Sequence, residues 1–224
     1  MARQVAHEIK NPLTPIQLAA EHLQRVHEDQ RRPLGKVFDQ CVSTVLRQVK
    51  LLRQIASEFA NFAGDPTPRP ASTPAADLLE GVVNAYRIGL GDRTRIELDV
   101  APGTPPIWAD RTLIARAITN LVENAVQAMP TGGTLTVTAA AGGASRVVIT
   151  VADQGVGMDA DALGRAFEPY FSTKTGGSGL GLANAKRNIE RNGGTIAIAS
   201  EPGAGTTVTV ALPAAPPAGA SASA

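Results

Sequence analysis

Apolar residues in the first 63 positions recur at alternating spacings of three and four, the period of an amphipathic helix. The first stripe consists of Ile9, Leu13, Ile16, Ala20 and Leu23. The second consists of Leu34, Phe38, Cys41, Val45, Val49, Leu52, Ile55, Phe59 and Phe62. The polar stretch from Glu28 to Pro33 separates the stripes and predicts the turn of a helical hairpin. Because a hairpin leaves an apolar stripe on each helix, we expect two copies to form a four-helix bundle; packing of the hairpin against the rest of the chain is the alternative.

The helical pattern stops at a proline-rich stretch, residues 64–74, whose composition predicts an extended linker. Beyond it the periods of helix and strand alternate. Helices are predicted at residues 75–86, from the N-cap Asp110 to about Met129, and at 182–191. Strands are predicted at residues 95–100, 134–138, 146–151, 195–200 and 206–212.

The predicted fold class is therefore α+β. It comprises a helical hairpin at residues 1–63, a linker at 64–74 and a mixed domain at 75–213. The last residues, 214–224, contain mainly Ala, Pro, Gly and Ser and are expected to be disordered.

Composition excludes several classes of protein. With 21 basic and 20 acidic residues, the formal net charge is +1, which gives no electrostatic footprint for nucleic acid or for an anionic membrane. The single cysteine, Cys41, favours a reducing compartment. No run of about 18 apolar residues predicts a membrane span. We expect a cytoplasmic fragment without membrane contact, and our hypothesis is that it belongs to a longer protein anchored in the inner membrane.

The string HEIKNPLTP at residues 7–15 is the first candidate for chemistry. With Ile9 on the packed face, His7 falls on the outward face of its helix, where another domain can reach it. A neutral imidazole is a competent nucleophile near pH 7. Glu8 is placed to accept the ring proton or to orient the tautomer, and Asn11 lies one turn further on the same side. Two prolines in a helix interior cost about 3 kcal/mol each and predict a bend after His7.

Two further motifs supply oxygen atoms. Asn120, Glu123 and Asn124 are spaced three and four apart, so they share one face of a helix and suit Mg²⁺ and phosphate. Asp153 follows an apolar strand, where its carboxylate can accept a hydrogen bond from an exocyclic amine such as that of adenine. Gly155 and Gly157 come directly after it, and we expect them to let the backbone approach a flat ring.

A glycine-rich segment, TGGSGLGLA, follows FEPYFSTK and leads into a helix. Backbone N–H groups at a helix N-terminus bind phosphate, and Lys174 supplies a mobile positive charge. A second glycine turn precedes Thr206, which we expect to face the phosphates or the adenine. The residues of the segment that we predict to bind the nucleotide are Gly177, Ser178, Gly179, Leu180, Gly181 and Leu182.

Taken in order, these motifs resemble the histidine box, asparagine box, glycine boxes and phenylalanine box of two-component sensor histidine kinases, over roughly residues 2–212. The strings HEIKNPLTPIQLAAE and STKTGGSGLGL look most like nitrogen-regulation sensor kinases. The resemblance implies an ATP-binding α/β sandwich of the GHKL type after a dimerising hairpin. It also implies that Asn124, with Asn120, holds Mg²⁺, that Asp153 binds the adenine amine, that Glu8 is the base and that Asn11 positions water for dephosphorylation.

One departure concerns Gln127, because the family often has a basic residue at that position. Lys174 is then the main cationic contact for the phosphates. The implied activity is ATP-dependent autophosphorylation of His7 and transfer to an aspartate of a response regulator, by a homodimer formed through residues 1–63. The alternatives are a GHKL-type ATPase, and a pseudokinase or phosphatase-biased module that binds the regulator.

Overall fold

The structure is a computed structural model that describes residues 2–28, 37–49, 52, 67–87, 94–143, 145–174 and 178–216. In the first helix it describes the side chains of residues 12–26. The chain divides into two compact units, Met1–Asp65 and Pro66–Ala224, and each is described by itself.

The first unit contains helix α1 (Ala2–Glu28) and the helical residues 37–49, named α2. Helix α1 continues through Pro12 and Pro15. Its buried side chains are Pro12, Ala19 and Val26, which recur every seven residues, while the predicted stripe residues Leu13 and Ala20 are exposed and Ile16 and Leu23 are half-buried. The predicted turn, apart from Glu28, lies outside the described residues.

The second unit is a five-stranded sheet covered by helices. Its elements are β1 (Ala71–Thr73), α3 (Ala75–Arg87), β2 (Thr94–Val100), β3 (Ile107–Ala109), α4 (Arg111–Ala128), β4 (Gly133–Gly142), β5 (Arg146–Asp153), α5 (Ala160–Arg165), α6 (Gly181–Arg191), β6 (Thr195–Glu201) and β7 (Gly205–Pro213). The sheet order is β2-β4-β5-β7-β6, in which only the β2–β4 pair is parallel. Strands β1 and β3 form a separate antiparallel pair.

The core lies between the sheet and the helices, because α4 packs against both α3 and α6 and all three helices contact the sheet. Alternate residues of the central strands point into it, which explains the period of two in the sequence. The fully buried side chains of the sheet include Leu135, Val137, Val147, Ile149, Val210 and Leu212. Their partners on the helices include Leu79, Val83, Ile114, Ile118, Leu121 and Ile189.

Local sequence signals predicted where helix α4 begins and where helix α6 ends. Asp110 caps α4, as predicted, since its Oδ1 accepts hydrogen bonds from the backbone N–H groups of Thr112 at 2.9 Å and Leu113 at 3.1 Å. Helix α6 ends at Arg191, and beyond its C-cap Asn192 the N–H groups of Gly193 (φ 70°) and Gly194 donate to the carbonyls of Glu190 and Ile189. This pattern satisfies the last carbonyls of the helix in a Schellman motif.

Two boundaries differ from the sequence-based prediction. The predicted linker 64–74 contains strand β1, which pairs with β3 through the register Ser72↔Trp108. The predicted disordered tail 214–224 begins with paired residues, because the N–H of Ala214 donates to Ser145 O at 2.8 Å and that of Ala215 to Pro106 O at 2.7 Å. In both cases the pairing partners are distant in sequence, so the local sequence pattern does not predict the pairing.

Candidate functional site

Asp153 ends strand β5 with a carboxylate that is already oriented. Its Oδ1 accepts hydrogen bonds from the backbone N–H groups of Gly155 at 2.8 Å and Thr206 at 3.2 Å. Burial raises the pKa of this carboxyl above its usual value, against the opposing effect of the two N–H donors and of the positive charge of Lys174. Both bonds use Oδ1, so Oδ2 is the oxygen that can accept a hydrogen bond from a ligand.

The turn between β6 and β7 is held by Ser200, a residue that the sequence analysis did not single out. The Ser200 hydroxyl donates to Gly205 O at 2.8 Å, accepts from the Met158 N–H at 2.9 Å and lies 2.9 Å from the Thr206 hydroxyl. Ser200 therefore ties the glycine-rich segment after Asp153 to the hairpin that carries Thr206. Only its position at the end of an alternating strand could have indicated this role.

The glycines around Asp153 have a structural reason that differs from the predicted one. A Cβ at Gly155 would collide with the backbone and side chain of Ala128, at the end of α4. At Gly157, where φ is +66°, a Cβ would overlap the carbonyl oxygen of Glu201. Protein backbone, rather than a flat ligand, thus makes the close approach that each of these two glycines permits.

Helix α4 brings its predicted site residues to two different neighbours. Asn124 accepts a hydrogen bond from Lys174, whose Nζ lies 3.0 Å from Asn124 Oδ1 and 3.4 Å from Asn124 O. Glu123 Oε1 instead accepts a hydrogen bond of 2.7 Å from the hydroxyl of Tyr86 on α3. Asn120 lies one turn before Asn124 and is half-buried. The carboxylate of Glu123 therefore faces α3, while the amide of Asn124 faces Lys174.

Tyr86 is a second residue that the sequence analysis missed. Burial raises the pKa of its hydroxyl above the usual range, and the hydrogen bond to Glu123 and the charge of that carboxylate act in the same direction. The hydroxyl consequently remains a donor at any physiological pH. The two residues are 37 positions apart, so only the packing of α3 on α4 could reveal the pair.

Lys174 joins the residues of the site electrostatically. Its Nζ also lies 3.0 Å from Gln127 Oε1, and burial lowers the pKa of its ammonium, while the negative charge of Asp153 opposes that shift. Asn124, Asp153 and Lys174 come from three separate motifs of the sequence. The structure thus brings together an amide oxygen, a carboxylate and an ammonium.

The N-terminus of α6 lies beside this group. A Cβ at Gly181 would be 3.4 Å from Asn124 Nδ2, so α6 begins next to α4. Ser178 Oγ accepts a hydrogen bond of 3.2 Å from the N–H of Leu180, which is buried, and Leu182 packs against the core. No side chain in the described part of the chain caps α6, so its first N–H groups are available to an anion. Gly177 lies outside the described residues.

The phenylalanine-containing segment is fixed to the glycine-rich one. The N–H of Tyr170 donates to Gly179 O at 2.9 Å, and a Cβ at Gly179 would collide with the backbone of Tyr170 and Phe171. The guanidinium of Arg165 lies 4.1 Å from the centre of the Phe171 ring, and Lys186 Nζ lies 5.3 Å from that of Phe167. These contacts place Lys174, three residues after Phe171, above the end of α4.

The arrangement fits a Mg²⁺–nucleotide complex. Among the described residues no group of three or more His, Cys, Asp or Glu could hold a metal ion. Mg²⁺ needs few protein ligands when phosphates supply the others. Asn124 Oδ1 already holds a cation, the ammonium of Lys174, which stands in for the charge that this oxygen would meet. The residues present therefore suit both an adenine-like amine and a charged polyphosphate.

The side chains of His7, Glu8 and Asn11 lie outside the described residues, and their backbone belongs to α1. Their predicted roles remain predictions. None of the helices in the described part of the chain is long and apolar enough to cross a membrane.

Comparison with known families gives two matches. Residues 1–63 match the His Kinase A phospho-acceptor domain. Residues 109–216 match the histidine kinase-, DNA gyrase B- and HSP90-like ATPase family. The second match contains all the residues of the site described above except Tyr86.

Similar curated proteins are sensor kinases. The nitrogen regulation protein NtrY of Azorhizobium caulinodans is 36% identical over 223 residues, which cover 95% of this chain and 28% of NtrY. The sensor histidine kinase ZraS of Escherichia coli K12 is 35% identical over 217 residues, which cover 95% of this chain and 45% of ZraS. The chain therefore spans less than half the length of these relatives.

Solved structures share the fold. The histidine kinase ThkA in complex with the response regulator TrrA has a TM-score of 0.72 at 22% identity, over 96% of this chain and 61% of that one. Full-length ShkA in complex with AMPPNP has a TM-score of 0.69 at 25% identity, over 91% of this chain and 46% of that one. The predicted α+β class, a helical hairpin followed by a GHKL-type sandwich, is confirmed.

Proposed function

Because the chain belongs to the histidine kinase family, we propose that it is the catalytic core of a nitrogen-regulation type of sensor kinase. In this proposal it uses ATP to phosphorylate His7 and then passes the phosphoryl group to an aspartate of a response regulator. The observation that best supports the proposal is that Asp153, Asn124 and Lys174 lie close together beside the N-terminus of α6. A cytoplasmic position, with a membrane anchor elsewhere in a longer protein, is part of the same proposal.

Each residue of the site has a defined task toward the nucleotide. Asp153 Oδ2 accepts a hydrogen bond from the adenine amine, because Oδ1 is held by Gly155 and Thr206. Lys174 and the first N–H groups of α6 bind phosphate oxygens. Asn124 Oδ1, with Asn120, is the protein ligand for Mg²⁺, which when bound offsets the negative charge of the phosphates.

The transfer itself needs few groups. A neutral ring nitrogen of His7 attacks the γ-phosphorus, so an N–P bond forms as the P–O bond to the leaving ADP breaks. Glu8 accepts the proton from the other ring nitrogen, which keeps the phosphorylated ring neutral. In the second transfer the regulator's carboxylate attacks phosphorus, the N–P bond breaks and His7 recovers a proton. Positioning and charge neutralisation supply most of the catalysis.

Dimerisation through residues 1–63 is supported by the distribution of apolar residues in the first unit. Pro12, Ala19 and Val26 of α1 are buried within a single chain. Among the described residues of this unit, four large apolar side chains are exposed: Leu13 at 47%, Leu18 at 55%, Phe38 at 50% and Leu46 at 64%. A second copy that covers them would complete a four-helix bundle, and the phospho-acceptor family match supports that partner.

A response regulator is the second partner in the proposal. The related histidine kinase ThkA has been solved in complex with the response regulator TrrA. For this chain, the fold similarity and the family match of residues 1–63 support a partner of the same kind. The aspartate of such a regulator accepts the phosphoryl group from His7.

The deciding experiment labels the chain with γ-³²P-ATP and follows the stability of the label in acid and in base. We expect an acid-labile, base-stable label, which is the behaviour of a phosphoramidate. The His7→Ala variant should lose the label and still bind AMPPNP by calorimetry, while Asn124→Ala should lose Mg²⁺-dependent binding.

Other outcomes identify the alternatives. Steady release of phosphate without a protein label would indicate a GHKL-type ATPase instead of a kinase. Undiminished labelling of His7→Ala would contradict the assignment of the acceptor. Failure of the unmodified chain to bind AMPPNP would indicate a pseudokinase that only docks a regulator.

A further inference from the structure

We propose that Gln127 is a positioning residue for Lys174, which it anchors at the exposed end of α4 beside Asn124. This inference rests on the proposed function, because it assigns to Lys174 the task of meeting nucleotide phosphates. It adds a residue that would never touch the nucleotide itself.

The ammonium of Lys174 has three acceptors, all on one turn of α4. They are Asn124 Oδ1 at 3.0 Å, Asn124 O at 3.4 Å and Gln127 Oε1 at 3.0 Å. Because residues three positions apart share a face of a helix, the two side chains reach the same point in space. The side chains of Asn124 and Gln127 therefore both hold the ammonium, although Lys174 is 47 positions away from Gln127 in sequence.

The two side chains that hold the Lys174 ammonium, Asn124 and Gln127, are affected differently when a nucleotide binds. Asn124 Oδ1 is the oxygen that we assign to the metal, so an ammonium held by Asn124 alone would lose its side-chain partner. Gln127 is not assigned to any ligand, and its Oε1 keeps the ammonium near the end of α4. Gln127 thus provides the anchor that is independent of the metal.

A cation is favourable at this end of helix α4. Its last turn contains no basic residue, and its C-terminal carbonyls carry partial negative charge. The ammonium of Lys174 supplies that charge from outside the helix, and a neutral amide at position 127 accepts it without repulsion. A cationic side chain at the same position would compete with Lys174 for the same oxygens.

The backbone of Lys174 is fixed as well. Its N–H donates to Ser172 Oγ at 3.1 Å, and the Ser172 hydroxyl lies 3.4 Å from Lys174 O. Gln127 therefore has to orient only the flexible side chain, whose four rotatable bonds would otherwise remain unfixed. The expected benefit is a lower entropic cost when the ammonium meets a phosphate.

A double-mutant cycle tests the coupling. AMPPNP–Mg²⁺ affinity is measured by calorimetry for the full chain, for Gln127→Ala, for Lys174→Met and for the double variant. Because Gln127 is exposed, loss of its hydrogen bond predicts about fivefold weaker binding for Gln127→Ala, and loss of the charged group predicts at least about tenfold for Lys174→Met. Because Gln127 acts only through Lys174, the double variant should equal Lys174→Met.

A charge exchange gives the second readout. The variant Gln127→Lys with Lys174→Gln keeps one cation and one amide at the same point, so it should bind AMPPNP more tightly than Lys174→Met alone. Gln127→Met, which keeps the length of the side chain but removes the acceptor, should lose as much affinity as Gln127→Ala. Gln17→Ala, the same change on the exposed face of α1, is the control, and all variants should unfold at similar temperatures.

The outcomes separate this inference from the proposed function. Additive losses in the cycle, or an unchanged affinity in Gln127→Ala, would overturn the positioning role while the kinase assignment stands. Absence of AMPPNP binding or of His7 labelling in the unmodified chain would instead overturn the proposed function. A lower unfolding temperature that accounts for the loss in Gln127→Ala would show a purely structural residue.

Discussion

The two units of this chain bury their apolar residues in different ways. The Pro66–Ala224 unit closes its core within one copy, with side chains such as Leu79, Ile118, Leu135 and Ile149 fully buried between sheet and helices. In the described residues of the Met1–Asp65 unit, only Pro12, Ala19, Val26 and Cys41 are buried. Four of the six exposed large apolar side chains of the described chain lie in that smaller unit. The second unit thus closes its core within one copy, whereas the described part of the first leaves apolar side chains exposed for the partner that we propose.

The difference follows from geometry. A sheet covered by three helices has an inside, so alternate residues of each strand find neighbours in the same chain. Two helices touch along one line only, and each keeps an apolar side that faces away from the other. Substitutions in the first unit should therefore change assembly, and substitutions in the second should change folding and nucleotide binding.

The largest effect is expected from Gly157→Ala in the closed unit. The new Cβ would overlap Glu201 O, and alanine disfavours the φ of +66°. We expect a loss of about 3 kcal/mol in the free energy of unfolding, measured by urea titration. Gly81→Ala in α3 has no neighbour within 4 Å and should stabilise the chain by up to about 1 kcal/mol. Equal midpoints for the two variants would contradict this reading of the glycine-rich turn.

The next effect concerns the open unit. Leu46 is 64% exposed in a single chain, so Leu46→Glu should leave the fold of that chain intact. Burial of a leucine contributes about 1.5–3 kcal/mol, and we expect the dimer to weaken by at least about tenfold. Sedimentation velocity measures this, with the exposed polar change Ser43→Glu as control. A dimer that survives Leu46→Glu unchanged would remove this face from the interface.

We expect nucleotide binding to depend on pH through Asp153, which the proposal assigns to the adenine amine. Because its pKa is raised from 3.8 by burial, its carboxylate is protonated at a higher pH than that of an ordinary aspartate. AMPPNP affinity should therefore fall as the pH decreases through that raised pKa, by about tenfold per unit below it. In Asp153→Asn, calorimetry should show weaker binding without this step, and a step of the same size in the variant would assign it to another group.

The same shift has the opposite consequence for stability. The unfolded chain ionises Asp153 at a lower pH than the folded one does, so the contribution of this group to stability decreases as the pH rises from 3.8 through the folded pKa. The ionised carboxylate of Asp153 therefore lowers the stability of the fold while it provides the site with an oriented hydrogen-bond acceptor.

The smallest effect is expected at Asp110, the N-cap of α4, whose Oδ2 also accepts a hydrogen bond from the N–H of Arg69 in the same unit. Partial burial opposes ionisation, but N–H donors from Arg69, Leu113 and Thr112 outweigh it and lower the pKa of the carboxyl. Asp110→Ala removes the cap of α4 and should cost about 1 kcal/mol. The contribution is present above the ordinary pKa and is lost as the pH falls through the lowered one. Thermal unfolding near pH 7 and near pH 3 measures it, and an equal loss in the exposed control Asp99→Ala would exclude capping.

Much of the fold could be predicted because it is encoded locally. The strands β2, β5, β6 and β7 begin and end within two residues of the predicted positions. Helix α4 was located by its N-cap Asp110, and α6 by its terminal glycines. The elements that were missed, β1, β3 and α5, have three, three and six residues. Elements of that length are too short to show a period.

The candidate site could be predicted only as a set of pieces. The motifs of the sequence predicted the chemistry of Asn124, Asp153 and Lys174, and the structure brings these three residues together. The contacts made by Gln127, Tyr86 and Ser200 could not be predicted, because Tyr86 and Ser200 belong to no motif and Gln127 stood out only as a departure from a basic residue. Their roles depend on which helix or turn packs beside them.

By itself, the sequence determined the helical periods, the strand periods, the caps and the order of the motifs, since each of these depends on neighbours within a few positions. Tertiary structure alone decided that Lys174 lies on Gln127, that Thr206 holds Asp153 and that Tyr86 holds Glu123, across 47, 53 and 37 positions. Such contacts form only after the core has closed. The apolar residues of the core follow the same helix and strand periods wherever they occur. Their pattern in the sequence therefore does not show which polar groups the folded core brings into contact.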